Sequence, residues 1–183
     1  MSTAARTAEE MEVEHQRFFE ALTVPACRDL FAQYGVLLRQ VGEQEQPRSP
    51  EFLVCSVISF SGRHLRGTLV LALTEELPTR SNPLGKGGAA RDWVGELSNQ
   101  LLGSIKIELL QHGVEIYLNL PAVLRGEHLA PLPRKALNPI KFVTDDGGAV
   151  AIWIELEIGP RFQISGAGDT EPGARSGETL LFE

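Results

Sequence analysis

A glutamate and an asparagine, Glu96 and Asn99, stand three residues apart inside the run ARDWVGELSNQLLGSIKIELLQ at 90–111. The carboxylate offers an anionic acceptor, and the amide both donates and accepts hydrogen bonds. Neither is a nucleophile of the usual type. No histidine or cysteine stands at local spacing with them, and the sequence carries no ligand pattern of a metal centre. On spacing alone the pair reads as part of a solvated face.

The helix that must carry them sharpens this picture. At about 100° per residue, Trp93, Val94, Leu97, Leu101, Leu102, Ile105 and Leu109 fall on one half of the wheel. The opposite stripe holds Asp92, Glu96, Asn99, Gly103 and Lys106, within roughly 80° of one another. Side chains three apart on a helix are neighbours, so Glu96 and Asn99 project from one patch. Gly103 lies one turn beyond Asn99 on that stripe. A glycine inside a helix costs about 1 kcal/mol relative to alanine. Its place opposite the apolar half favours close approach by a partner surface over packing against the chain's own sheet.

Other residues carry weaker signals. His15, His64, His112 and His128 are scattered. Asp145 and Asp146 sit in DDGG, which reads as a turn rather than a metal site. LGKGGAA, around Lys86, precedes the helix, but it lacks the pattern of a phosphate-binding loop and reads as a hinge.

Around the central helix, expected from Ala89 to Gln111 with Gly113 just beyond, the remaining elements follow from periodicity. A first helix is expected from Met11 to Tyr34, with Phe18, Phe19, Leu22, Leu30 and Phe31 as core candidates and Gly35 as its stop. Pro25 predicts a kink, or two consecutive helices with Thr23 as a cap. VLLRQV at 36–41 reads as a short strand. The runs 51–60 and 65–74 suit strands, joined by SGRH as a hairpin loop. The segment 74–89, with two prolines and three glycines, reads as a connection with one helical turn. VEIYLNL at 114–120 alternates, with Val114, Ile116, Leu118 and Leu120 on one face and Pro121 breaking or edging it. The runs 140–144 and 149–158 flank the DDGG turn, and Val150, Ile152, Ile154, Leu156 and Ile158 share a face. The expected fold is α+β: a largely antiparallel sheet of five or six strands packed with a long N-terminal and a long central helix. Residues 1–10 are expected to be mobile, 11–158 to form the domain, and 159–183 to be a mobile tail whose ETLLFE end could dock.

The chain has 183 residues, 43% hydrophobic and 22% charged, which suits one globular domain with a substantial core. A net charge of -7 argues against a nucleic-acid partner, which needs a basic face. Cys27 and Cys55 lie in apolar runs and read as core residues, not as a disulfide framework. MSTAARTAEEMEVEHQ lacks the apolar segment of a secretory signal, and no run is apolar enough to span a membrane, so a cytoplasmic location is expected.

The wider pattern, from Asp92 to Gly103 and then LPAVLRG at 120–126, resembles the CheC/CheX family of chemotaxis phosphatases. Its signature is Asp or Ser, Glu after three residues, Asn after two more, and Pro about twenty-two residues on. Here these are Asp92, Glu96, Asn99 and Pro121, with 21 residues between the last two. The hairpin ISFSGRHLRGTLVLAL is similar as well, and the likeness covers about residues 10–158. The motif occurs once, which resembles the single-site CheX branch.

The resemblance implies that the substrate is the phospho-aspartate of a CheY-like receiver domain. It implies no cofactor of the chain's own, the Mg²⁺ ion being supplied by the receiver. It assigns Asn99 to orienting the attacking water and Glu96 to pairing with the receiver's active-site lysine. Asp92 and Gly103 become partner-binding positions, Pro121 and Gly126 structural ones, and the assembly a homodimer. The same fold also admits a non-catalytic reading, a receiver-binding adaptor or a relative of the flagellar switch proteins. Retention of both Glu96 and Asn99 favours catalysis.

Overall fold

The computed structural model describes residues 8–42, 54–84, 90–126, 129, 133 and 137–164. Residues 1–7, the stretch 43–53, the loop around Lys86, His128 and the tail from 165 lie outside the described residues.

Among the described residues three helices occur, in the order α1 (Ala8–Gln33), α2 (Glu76–Ser81) and α3 (Ala90–Gln111). The two long ones stop by the same chemistry. Gly35 and Gly113 take φ of 72° and 73°, a left-handed conformation that glycine adopts without strain. At each stop the amide of the next residue, Val36 or Val114, bonds back at 3.0 Å to Phe31 or Leu109, while the glycine amide reaches Ala32 or Leu110. These are Schellman closures, and their apolar partners Val36, Phe31, Val114 and Leu109 are all buried.

Pro25 does not divide α1. The helix runs through it, and the exposed proline only withholds an N–H from the preceding turn. Thr23 is no cap: its hydroxyl is buried and donates to the Phe19 carbonyl at 2.8 Å. Phe19, Leu30 and Phe31 are buried, whereas Phe18 and Leu22 are half-buried at the border of the core.

The sheet contains β1 (Arg39–Gln40), β2 (Val54–Gly62), β3 (Leu65–Leu73), β4 (Ile116–Leu118), β5 (Ala122–Arg125), β6 (Ile140–Val143) and β7 (Ala149–Ile158). Every pairing is antiparallel, in the order β1-β6-β7-β3-β2-β4, with β5 also on β2. β4 pairs with residues 60–62 of β2 and β5 with 54–57, so the seven strands among the described residues fill six positions. The expected run 114–120 is therefore shorter than its alternation indicates. Pro121 has no N–H for the ladder, the strand stops at Leu118, and Leu120 is 92% exposed.

The β2–β3 hairpin turns on Arg63 and His64 alone. Gly67 is set directly across from Phe60, whose ring lies over it: a Cβ there would sit 2.5 Å from Phe60 Cζ and 2.6 Å from the Glu155 carbonyl oxygen. The DDGG segment is a turn, closed by the Thr144 amide on Gly148 O at 2.8 Å and by Gly147 at φ 93°. The Thr144 hydroxyl and the Arg80 guanidinium both donate to Asp146 and hold its carboxyl below the usual range.

The main core lies between α1, α3 and one sheet face, built from Phe19, Phe31, Ile58, Phe60, Leu69, Leu97, Leu101, Ile152 and their neighbours. On the other face Cys55, Ala72, Ala151 and Trp153 form a smaller cluster, met by Leu129 and Leu137. Both cysteines are buried free thiols. Burial pushes the Cys55 thiol up to about 11 and Cys27 further still.

Candidate functional site

α3 presents the stripe as its wheel predicts. Trp93, Val94, Leu97, Leu101, Leu102, Ile105 and Leu109 are buried. Asp92 and Glu96 are exposed, and Asn99, Gly103 and Lys106 are half-buried. A fully buried leucine of this kind contributes about 1.5–3 kcal/mol, so the apolar half fixes the helix rotation and the polar stripe must face outward.

Two further contacts fix that rotation. Ser98 is buried, its hydroxyl 2.7 Å from that of Ser56 on β2 and 2.8 Å from the Gly95 carbonyl. Gly95 lets the start of β5 lie close, since a Cβ there would be 3.3 Å from Val123 Cγ2 and 3.6 Å from Pro121 Cγ. Pro121 thus seats against the helix one residue before Glu96. A Cβ at Gly126 would be 3.2 Å from Leu129 Cδ2, so this glycine serves the packing of the following loop. At Gly103 a Cβ would meet nothing within 4 Å. Packing among the described residues does not require that glycine.

Glu96 is held in a relay that local spacing shows only in part. The Gln100 amide nitrogen donates to Glu96 Oε1 at 2.8 Å, and the Tyr34 hydroxyl donates to Gln100 Oε1 at 2.8 Å. Tyr34 meets Trp93 edge to face at 4.7 Å and 90°, and the Trp93 indole donates to the Ser81 hydroxyl at 2.9 Å. Gln100 stands four residues after Glu96, a spacing that joins side chains on a helix. Tyr34 is 66 residues from Gln100, and no sequence signal ties the two. Asn99 makes no side-chain hydrogen bond among the described residues.

Towards the C-terminal end the stripe becomes apolar. Ile107 and Leu110 are 64% and 57% exposed, and the Lys106 ammonium lies 5.6 Å over the Tyr117 ring. Glu96 and Asn99 share this outward face of α3, Glu96 exposed and Asn99 half-buried. A concavity of about 610 Å³ lies elsewhere, beside the β2–β3 hairpin, lined by Arg63, His64, Glu115, Tyr117, Arg161 and others, and neither Glu96 nor Asn99 borders it. His15 meets Phe162 and His112 meets Phe18, so these rings serve packing. Among the described residues no three His, Cys, Asp or Glu side chains are grouped to hold a metal ion. No helix among them is long and apolar enough to cross a membrane.

Neither a family model nor a curated protein sequence matches the chain. Solved structures do. Chemotaxis protein CheX from Vibrio vulnificus superposes with a TM-score of 0.65 at 19% identity, over 76% of this chain and 96% of that one. The chain has the CheX fold. A CheX–CheY–BeF₃–Mg²⁺ complex from Borrelia burgdorferi matches with a TM-score of 0.53 at 16% identity, over 76% of this chain and 95% of that one. The FliM middle domain from H. pylori matches with a TM-score of 0.52 at 14% identity, over 78% of this chain and 91% of that one. The CheX-like fold accounts for the α+β architecture, and on it the Asp92–Pro121 motif falls on α3 and on the residue before β5.

Proposed function

We propose that this chain is an aspartyl-phosphate phosphatase acting on a CheY-like receiver domain. The observation that carries the reading is the pairing of Glu96 and Asn99 on the outward face of α3, on a fold that a CheX adopts in complex with CheY. A side-chain pair on an outward helix face is open to a docked partner. It suits a substrate that brings its own pocket, as a phosphorylated receiver does. The Mg²⁺ ion and the phosphoryl group belong to that partner.

In this reading Asn99 enters the receiver's active site and holds the attacking water. An amide positions a water through one donated and one accepted hydrogen bond without acting as a strong base. As the water oxygen bonds to phosphorus, the bond to the receiver aspartate breaks, and phosphate and a free carboxylate leave. The gain comes from orientation and from electrostatics already present in the receiver. Glu96 pairs with the receiver's lysine and fixes the docked geometry. Asp92 adds a polar contact one turn earlier. Gly103 keeps the helix surface low, so that the partner backbone approaches closely, and Ile107 and Leu110 extend the contact. The active assembly is a homodimer.

A second reading has one observation in its favour, the likeness to the FliM middle domain, which fits a receiver-binding or switch-type module without catalysis. Phosphate release separates the two. Catalytic amounts of the protein added to phosphorylated CheY-type receivers accelerate release if the phosphatase reading holds. Stoichiometric binding without acceleration selects the module.

A further inference from the structure

We infer that Tyr34 and Gln100 are positioning residues that set Glu96 in its docking geometry. This rests on the docking role proposed above for Glu96. The inference comes from the polarity of the relay. Glu96 takes the Gln100 amide nitrogen on Oε1, which leaves Oε2 for a partner cation. The amide of Gln100 therefore has to present its nitrogen to Glu96 and its oxygen to the opposite side. Tyr34 meets that oxygen with a hydroxyl that must donate. A flipped amide would set its oxygen against the carboxylate, two acceptors facing each other. The acceptor-only carboxylate sets this amide orientation, and the phenol, able to donate or accept, secures it by donating to the amide oxygen.

The relay is anchored away from the site. Tyr34 directly follows the last helical residue of α1 and precedes Gly35, so the Schellman closure of α1 delivers it to α3. Its ring is held edge to face on Trp93, and Trp93 is tied through Ser81 to the Leu77 carbonyl on α2. An exposed glutamate without such support populates several rotamers and loses that freedom on docking. A glutamate already held in one geometry loses less, and the saving appears in affinity. α1, α2 and α3 converge on one carboxylate, and only the last of them carries the motif.

Tyr34→Phe removes the donor and keeps the ring on Trp93. Gln100→Leu removes the amide and keeps a helix-forming side chain of similar size. Both are made in the unmodified protein and in Glu96→Ala. The receiver is the CheY-type domain on which the unmodified protein is most active, phosphorylated for turnover and loaded with BeF₃⁻ and Mg²⁺ for binding. Each variant is expected to raise Kd and apparent KM roughly 3- to 10-fold, the loss typical of one hydrogen bond. Turnover at saturating receiver should hold within about two-fold, since Asn99 is untouched. In the Glu96→Ala background neither variant should have any further effect. An unchanged Kd for Tyr34→Phe and Gln100→Leu overturns the relay, as does the same rise in the Glu96→Ala background. An unmodified protein that accelerates no receiver overturns the phosphatase reading itself, and this role with it.

Discussion

Glu96 and Asn99 stand side by side, and their proposed tasks are separable. Glu96→Ala removes a charged contact at the interface, so apparent KM for the phosphorylated receiver should rise by the equivalent of about 1–3 kcal/mol with turnover largely kept. The protein should keep its melting temperature, because an exposed polar position alters stability by under about 0.5 kcal/mol. A fall in turnover at unchanged KM would assign Glu96 to the chemistry instead of to docking. The cysteines allow a second test. With the Cys55 thiol pushed up to about 11 by burial and Cys27 higher, neither forms thiolate at neutral pH. A thiol reagent at neutral pH should label neither site over minutes in the native protein and both in denaturant. Rapid native labelling would show that these side chains open to solvent. At this scale the sequence exposes the Glu96–Asn99 pair because three-residue spacing on a helix is a local rule. It cannot expose Tyr34, whose meeting with Gln100 exists only after α1 has packed on α3.

The elements show where local rules suffice and where they fail. Both long helices stop at glycines legible in the sequence, because Gly35 and Gly113 supply a backbone conformation that other residues resist. Of the two outcomes Pro25 allows, division into two helices does not occur: α1 runs on across one missing hydrogen bond. The alternation at 114–120 misleads, since Pro121 cuts the ladder before Leu120 is reached. Two glycine substitutions test the structural account in opposite directions. Gly103→Ala meets open space inside a helix, so it should stabilise the free protein by up to about 1 kcal/mol while weakening receiver binding. Thermal melts and a binding titration read the two effects, and tighter binding would end the close-approach role of Gly103. Gly67→Ala forces a methyl against the Phe60 ring and the Glu155 carbonyl, and should destabilise by about 1–3 kcal/mol in denaturant titrations. A neutral result there would mean that the β2–β3–β7 register is looser than described.

For the whole molecule, the fold class was legible and the strand order was not. Runs of alternating residues identify strands such as β3 and β7, but their adjacency joins residue 65 to residue 158, which no local pattern encodes. That β4 and β5 share one edge of β2 was equally hidden, since neither run encodes its partner. Assembly belongs to this scale. A homodimer is expected, and light scattering should give twice the 20.0 kDa chain mass; a clean monomer at working concentration would contradict it. The proposed hydrolysis depends on one amide on α3, that of Asn99. The most direct measurement is phosphate release from a phosphorylated CheY-type receiver with the unmodified protein and with Asn99→Ala, alongside their binding to the same receiver loaded with BeF₃⁻ and Mg²⁺. The account predicts that Asn99→Ala keeps the fold and most of the affinity but loses turnover on the order of 100-fold, the scale of a misplaced reactant. An Asn99→Ala protein that releases phosphate as fast as the unmodified one would contradict it.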